Sequence, residues 1–201
     1  MRFRTQQPVD PHLRRWMLFV DGENFTICAQ KVALKADVKL IEGDIYMPDV
    51  FVWLPGLRGT TNVMGHAYLP LQPNAIRSFY YTTVPGDEVK VNDVKQKLRN
   101  LLFSPQVFKK RKDKSKGVDI ALAKDLLVHA FLNHYDVAAL IAGDGDYVPL
   151  IEEVKHLGKV VYLSFFKNDG LSPELRLAAD YYLDMESMFT RRWRDRVKTG
   201  K

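Results

Sequence analysis

The chain has 201 residues, of which 46% are hydrophobic and 11% aromatic, and its net charge is +6. This length and composition are those of one ordinary domain with a single core, and they exclude a disordered chain. The single cysteine, Cys28, excludes an internal disulfide framework and fits a reducing compartment. Residues 1–15 are followed by no apolar stretch long enough for a signal peptide, and the longest apolar run, residues 137–142, is too short to cross a bilayer. We therefore expect a cytoplasmic protein with no membrane partner.

The first half of the chain predicts a strand, a helix and a long irregular segment. Residues 1–15 lack periodicity and predict a flexible N-terminal arm. The continuous apolar run at residues 16–20 predicts a strand that is buried on both faces, and residues 25–34 predict a helix. Glycine and proline interrupt residues 41–75, which predicts an insertion or lid rather than a second domain, because the apolar pieces are too few for a separate core.

The second half predicts a regular alternation of strands and helices. β-branched and aromatic runs predict strands, and apolar residues at helical spacing predict the helices between them. The predicted strands are 77–83, 106–108, 137–142, 159–164 and 181–184; the predicted helices are 91–102, 120–132 (with Asp119 as N-cap), 149–157 and one that begins at Pro173. This order predicts an α/β fold with a mostly parallel sheet. We expect the domain to span residues 16–184, followed by a basic C-terminal tail at 185–201.

Two short segments carry more than the whole net charge. Residues 109–116 (KKRKDKSK) and 191–201 (RRWRDRVKTGK) each hold six basic residues and one aspartate, so the rest of the chain is mildly acidic. Such blocks bind polyanions by releasing counterions, although a solvated loop and a basic terminus without a binding role are the alternative. Phe189 and Trp193 support the binding interpretation, because aromatic rings can stack on exposed bases. The expected nucleic-acid contacts are Lys109, Lys110, Arg111, Lys112, Lys114, Arg191, Arg192 and Arg194.

Carboxylates follow the predicted strands at the edge where ligands bind in parallel sheets. Asp21 follows the first strand, Asp144 and Asp146 follow residues 137–142, and Asp119 opens the helix after the basic loop. Gathered acids repel one another unless a cation neutralises them, and oxygen-only ligands suit Mg²⁺ or Mn²⁺. Such a site serves phosphodiester hydrolysis, because the metal activates water and offsets the charge that builds on phosphate. Taken singly, each aspartate is equally an ordinary turn or cap residue.

Three motifs resemble the NYN domain of the PIN-like nuclease superfamily. They are residues 19–24 (FVDGEN), 116–122 (KGVDIAL) and 142–150 (AGDGDYVPL), and the similarity covers about residues 16–184. The departures are mild: Ala142 replaces a small hydroxyl residue, and Tyr147 replaces a phenylalanine. The resemblance implies a Rossmann-like three-layer α/β/α sandwich with a divalent-metal site and nuclease activity, most often on RNA.

Carried onto the matching positions, the resemblance implies that Asp21, Asp119, Asp144 and Asp146 hold Mg²⁺ or Mn²⁺ and carry catalysis. It further implies that Asn24 braces Asp21 or touches the metal-bound water, that Lys116 faces phosphate and that Asp125 supports the site. We expect a metal-dependent endoribonuclease. Whether DNA is also a substrate, and whether the protein forms a homo-oligomer, are left open. The alternatives are an RNA-binding or scaffolding NYN protein with weak or no catalysis, and a small-molecule phosphohydrolase.

Overall fold

The computed structural model describes residues 12–54, 57, 63–65, 69–110 and 116–199. Its strands and helices alternate along most of the chain. The strands are β1 (Trp16–Asp21), β2 (Tyr46–Met47), β3 (Phe51–Val52), β4 (Arg77–Val84), β5 (Ser104–Lys109), β6 (Val137–Ile141), β7 (Val160–Phe165) and β8 (Tyr181–Asp184). The helices are α1 (Gly22–Lys35), α2 (Glu88–Asn100), α3 (Lys116–Phe131), α4 (Val148–His156), α5 (Pro173–Ala178) and α6 (Glu186–Thr199).

Six strands form the central sheet, in the order β5-β4-β1-β6-β7-β8, and all their pairings are parallel. β2 and β3 form a separate antiparallel pair. The inner strands β1 and β6 are buried along their whole length because helices cover both faces of the sheet, which explains their uninterrupted apolar runs in the sequence. The predicted α/β fold with a mostly parallel sheet is confirmed.

Two hydrophobic layers enclose the sheet. Alternate residues of β1 point to opposite faces: Trp16, Leu18 and Val20 join one layer with α1, α2 and α6. Met17 and Phe19 join the other, with α3, α4 and α5. The result is the three-layer arrangement that the resemblance implied.

The order of the strands reverses between β1 and β6. From β1 the chain continues to β4 and β5 on one side, whereas β6, β7 and β8 extend on the other. In open α/β sheets the crevice at this switch point, beyond the carboxyl ends of the strands, is where ligands bind. Val20 pairs with Ile141, so Asp21 and the turn that begins after Ile141 emerge side by side at this point.

The segment at 41–75 contributes to the core. In the described part of this segment, residues 50–54 are buried in the layer that holds α1, as are Val63 and Met64. The hydroxyl of Ser164, on β7, donates a hydrogen bond to the carbonyl of Val63. The sequence predicts an insertion or lid here, and the described residues of this insertion fill one face of the sheet.

The predicted basic C-terminal tail is helical over Glu186–Thr199. Phe189 and Trp193 are fully buried on α6 and pack against the α1 layer. The prediction that these two rings stack on nucleic-acid bases is therefore wrong, because the rings are inaccessible. Helix α3 also begins earlier than predicted, so Asp119 lies within its first turn and is not its N-cap.

Most of the predicted N-terminal arm, residues 1–11, lies outside the described residues. Of the described part, Arg14 forms an isolated bridge with Leu71, and the Arg15 guanidinium lies 3.0 Å from the Asp136 carboxylate. This arginine holds the pKa of Asp136 below its ordinary value. Residues 14 and 15 thus pair with the domain. None of the helices in the described ranges combines the length and apolar character needed to cross a membrane.

Candidate active site

A cleft of about 210 Å³ opens at the switch point of the sheet. It lies between the carboxyl ends of β1 and β6 and the amino ends of α1 and α3. Three of the predicted acids, which are distant in the chain, line this cleft together: Asp21, Asp119 and Asp144. The remaining lining residues are Glu23, Asn24, Ile27 and Val118.

Asp21 is the buried carboxylate of the cleft, with 3% of its surface exposed. It ends β1 and caps α1, because its Oδ1 accepts a hydrogen bond of 3.2 Å from the backbone N–H of Asn24. Burial raises the pKa of Asp21 to about 7, against the lowering effect of its hydrogen bonds. The next residue must be Gly22, since a Cβ there would lie 2.0 Å from the ring of Tyr80.

The hydroxyl of Tyr147 joins two acids of the cleft. It lies 3.0 Å from Oδ2 of Asp21 and 3.1 Å from Oδ1 of Asp119. Burial and these two carboxylates raise the pKa of Tyr147, so the phenol keeps its proton. A phenol has one proton, so it satisfies only one of two ionised carboxylates at a time. The pKa of Asp119 is also raised, by burial first and then by the charges of Asp144, Glu23 and Asp146.

Asn24 connects the two turns that carry the acids. Its side-chain oxygen accepts a hydrogen bond of 3.0 Å from the backbone N–H of Gly143, directly before Asp144. Asp144 is exposed at the cleft and caps the short helix Gly145–Tyr147, since its Oδ1 lies 3.0 Å from the N–H of Asp146. Asn24 therefore fixes the turn after β1 against the turn after β6. Asp146 is exposed and does not line the cleft.

Glu23 is an acid of the cleft that sequence reasoning missed. Its Oε2 accepts a hydrogen bond of 2.8 Å from the hydroxyl of Thr83, at the end of β4. Its Oε1 lies 2.9 Å from the ammonium group of Lys110. The signal was the second acid in the motif DGEN, two residues after Asp21, at a position where the family motif allows any residue.

The structure brings only part of the predicted basic set to the cleft. Lys110 forms an ion pair with Glu23, which lines the cleft. Lys109 precedes Lys110 at the end of β5 and is exposed. The positions outside the described residues are Arg111, Lys112 and Lys114; of Lys116 only the backbone is described.

The C-terminal arginines lie on another surface. Arg194 donates a hydrogen bond of 2.6 Å to the carbonyl of Ala36, just beyond the end of α1 that is far from the cleft. Arg192 lines a separate cavity with Leu54, and the neighbouring Arg191 is exposed on the same helix. The structure therefore does not place Arg191, Arg192 and Arg194 with the acids.

Asp125 also stands apart from the cleft. Its Oδ2 accepts a hydrogen bond of 3.0 Å from the hydroxyl of Tyr81, and its Oδ1 lies 3.3 Å from the ammonium of Lys124. Tyr81 is the register partner of Asp21 on the neighbouring strand. The contact of Asp125 with the site is thus indirect, through the end of β4.

Comparison with known proteins gives a clear family. The model of the NYN domain matches residues 15–186. The chain belongs to the NYN domain family. NYN domains are typically nucleases, so the family places nucleic acid as the general class of substrate. No curated protein matches the chain.

A solved structure has the same fold as this chain. The chain is similar to a protein of unknown function, VPA0982, from Vibrio parahaemolyticus RIMD 2210633, with a TM-score of 0.58 at 16% sequence identity. The match covers 88% of this chain and 96% of that one. At this identity the likeness concerns the fold alone.

The atoms that line the cleft include the type of ligand that a hard divalent cation prefers. The carboxylates of Asp21, Asp119 and Asp144 supply oxygen only, as Mg²⁺ and Mn²⁺ prefer, and a cation would offset the cost of ionising buried Asp21. Within the described ranges, however, no three acidic, histidine or cysteine side chains lie close enough together to hold one metal ion as they stand. Asp119 and Asp144 are exposed, so their side chains have room to turn.

Proposed function

We propose that this NYN protein is a divalent-metal-dependent ribonuclease that hydrolyses phosphodiester bonds of RNA. The observation that carries the proposal is the meeting of Asp21, Asp119 and Asp144 in one cleft at the switch point of a parallel sheet. Asp21 and Asp144 also cap helices, but capping does not require three acids to meet in one cleft, where the charge of Asp119 raises the pKa of Asp21 and the charge of Asp144 raises that of Asp119. A site for a cation that acts on phosphate accounts for them.

The residues that would hold Mg²⁺ or Mn²⁺ are Asp21, Asp119 and Asp144, with Asp146 beside them. When bound, the cation lowers the pKa of water and offsets the negative charge of the reacting phosphate. Asn24 keeps Asp21 and the turn of Asp144 in register through its bond to Gly143.

Among the side chains that the structure describes, Lys109 and Lys110 are cations available to the substrate at the margin of the cleft. Both are exposed and follow one another at the end of β5. Lys110 is held by Glu23, so its ammonium group already points to the acidic residues. An RNA phosphate that approaches the cleft can bind to this lysine, and the lysine then shares its charge between phosphate and Glu23.

Cleavage of labelled single-stranded RNA tests the proposal. The assay compares Mn²⁺, Mg²⁺ and EDTA, with a DNA of the same sequence as a second substrate. We expect cutting that depends on the metal and falls by about 100-fold or more in Asp21→Asn, Asp119→Asn and Asp144→Asn, since even residues that only orient metal ligands contribute 10–100-fold. Asp93→Asn, an exposed acid on α2, is the matched control and should cut normally. Equal cutting by all variants would mean that the cleft is not the active site.

The second candidate is an RNA-binding NYN protein with weak or no catalysis. The bridge of Tyr147 between Asp21 and Asp119 favours it, because the hydroxyl holds these two acids together without a cation. In that case RNA binds, no metal supports cutting, and the three aspartate variants bind RNA at least as tightly as the native protein, because each removes a repulsive charge.

A further inference from the structure

A second cavity lies at the same edge of the sheet, next to the acidic cleft. Its volume is about 430 Å³, and its lining residues are Lys167, Asn168, Leu171, Pro173, Arg176 and Leu177. The loop that forms it packs on the turn of the cleft: the N–H of Ser172 donates a hydrogen bond of 2.8 Å to the carbonyl of Gly143. The ends of β1, β6 and β7 follow one another along this edge, so the segment that lines the second cavity follows the strand next to the cleft.

The cavity carries two cations that the fold does not neutralise. Lys167 and Arg176 are both exposed, and neither forms an ion pair with any residue that the structure describes. The guanidinium of Arg176 lies 5.0 Å from the centre of the Tyr182 ring, and the hydroxyl of Tyr182 is bonded to the carbonyl of Phe165. Arg176 is therefore held in place before any ligand binds.

The acids nearest to the cavity are engaged by other groups. Asp184 accepts a hydrogen bond of 3.0 Å from the N–H of Glu186, and also contacts the backbone N–H of Lys167. Glu174 accepts a hydrogen bond of 2.7 Å from the hydroxyl of Ser172, and Glu186 lies 3.4 Å from the amide of Asn168. The two cationic side chains remain open to an anion from solution.

The remaining wall is apolar and exposed. Leu177 has 84% of its surface in solvent, and Leu171 and Pro173 lie beside it in the same cavity. Asn168 adds an amide that can donate and accept hydrogen bonds. Two cations next to an apolar wall and an amide match the parts of a nucleotide: phosphate, base face and base edge.

We propose that this cavity is a subsite for a nucleotide of single-stranded RNA, placed on one side of the bond that the cleft would cut. The inference rests on the proposed function for its substrate class. Lys167 and Arg176 bind a backbone phosphate, and the base lies against Leu177. The strand then runs along the edge of the sheet, from Lys109 and Lys110 across the cleft to this cavity.

Fluorescence anisotropy measures how the protein binds single-stranded RNA oligonucleotides of two to about ten residues, and so tests the subsite. The buffer contains EDTA, which prevents cutting. Each phosphate of a single strand that the protein neutralises adds about 0.7 to the salt slope. Lys167→Ala/Arg176→Ala removes both cations from one phosphate, so it should lower the slope by about 0.7 and weaken binding about 5-fold at about 0.1 M salt. The shortest oligonucleotides should be unaffected, because they need not reach the cavity.

A second variant separates the base contact from the phosphate contact. Leu177→Gln should weaken binding of the longer oligonucleotides without any change in salt slope. The matched control is Lys39→Ala/Arg99→Ala, which removes two exposed cations near the far ends of α1 and α2. It should change binding little at every length.

The outcomes distinguish the subsite from the proposed function. If the native protein cuts RNA but the Lys167/Arg176 variant binds like the control, the subsite is refuted and the function stands. If the cavity variants weaken RNA binding as expected but no metal supports cutting, the subsite stands and the ribonuclease proposal fails. A native protein that neither binds nor cuts RNA overturns both.

Discussion

Replacing Asp21 by asparagine should stabilise the fold while removing the proposed activity. Asn is as good an N-cap as Asp, so the hydrogen bond to the N–H of Asn24 is retained. The amide has nearly the same shape but no charge. The substitution removes the cost of an ionised carboxylate that is 3% exposed. With the amide oxygen at the cap, the NH2 group faces the Tyr147 hydroxyl and donates to it, and that hydroxyl still donates to Asp119.

The size of the effect follows from the pKa of Asp21. In the folded protein burial raises the pKa from 3.8 to about 7. Between these values the folded state holds a proton that the unfolded state has lost, so stability falls as the pH rises through this window. At about 1.36 kcal/mol per pH unit, ionised Asp21 costs at most roughly 4 kcal/mol above pH 7. Below pH 4 the cost vanishes.

Urea denaturation of the native protein and Asp21→Asn, in EDTA at pH 8 and pH 4.5, measures this difference. We expect the variant to be more stable by up to roughly 4 kcal/mol at pH 8 and to differ by only about 1 kcal/mol at pH 4.5. The control is Asp144→Asn, an exposed acid of the same cleft, which should change stability little at either pH. An equal gain at both pH values, or none at pH 8, would refute the reasoning.

Three further substitutions test the packing of the site and of α6. Tyr147→Phe should lower the free energy of unfolding by about 1–3 kcal/mol without metal, because a buried carboxylate loses the hydroxyl that donates a hydrogen bond to it. The loss should be smaller in saturating Mn²⁺. An equal loss with and without Mn²⁺ would contradict the expected cation site. Gly143→Ala should destabilise by about 1–3 kcal/mol or more, because its Cβ would lie 2.2 Å from a backbone oxygen; an unchanged melting temperature would contradict this close approach. Trp193→Ala should lower the free energy of unfolding by about 3–5 kcal/mol, whereas the control Arg191→Ala, an exposed residue on the same helix, should lower it by less than about 0.5 kcal/mol. Similar melting temperatures for the two variants would mean that α6 is not part of the core.

The sheet could be predicted from the sequence because its strands are buried on both faces. Residues 16–20 and 137–141 are continuous apolar runs for this reason. Once the strands are known to be parallel, their carboxyl ends must meet, so Asp21 and Asp144 could be expected at one edge. The acids of the cleft follow from topology, which the order of the elements specifies.

Side-chain contacts across the fold could not be predicted in this way. The bond of Glu23 to Lys110 and the bridge made by Tyr147 depend on where each side chain points, which topology does not determine. Helix α6 is hard to recognise in the sequence because three arginines, at positions 191, 192 and 194, stand next to its buried tryptophan. Phe189 and Trp193 nevertheless have the i, i+4 spacing of one helix face. In the segment at 41–75 the buried residues have no period to recognise.

Titration of the native protein with Mn²⁺ by isothermal titration calorimetry tests the central claim most directly, since it needs no RNA. If Asp21, Asp119 and Asp144 form one cation site, each single Asn substitution should weaken Mn²⁺ binding by about 10–100-fold or more, whereas Asp93→Asn should leave it unchanged. Native protein that binds no Mn²⁺, or binding that is the same in all four variants, would contradict the claim that these distant aspartates build a metal centre.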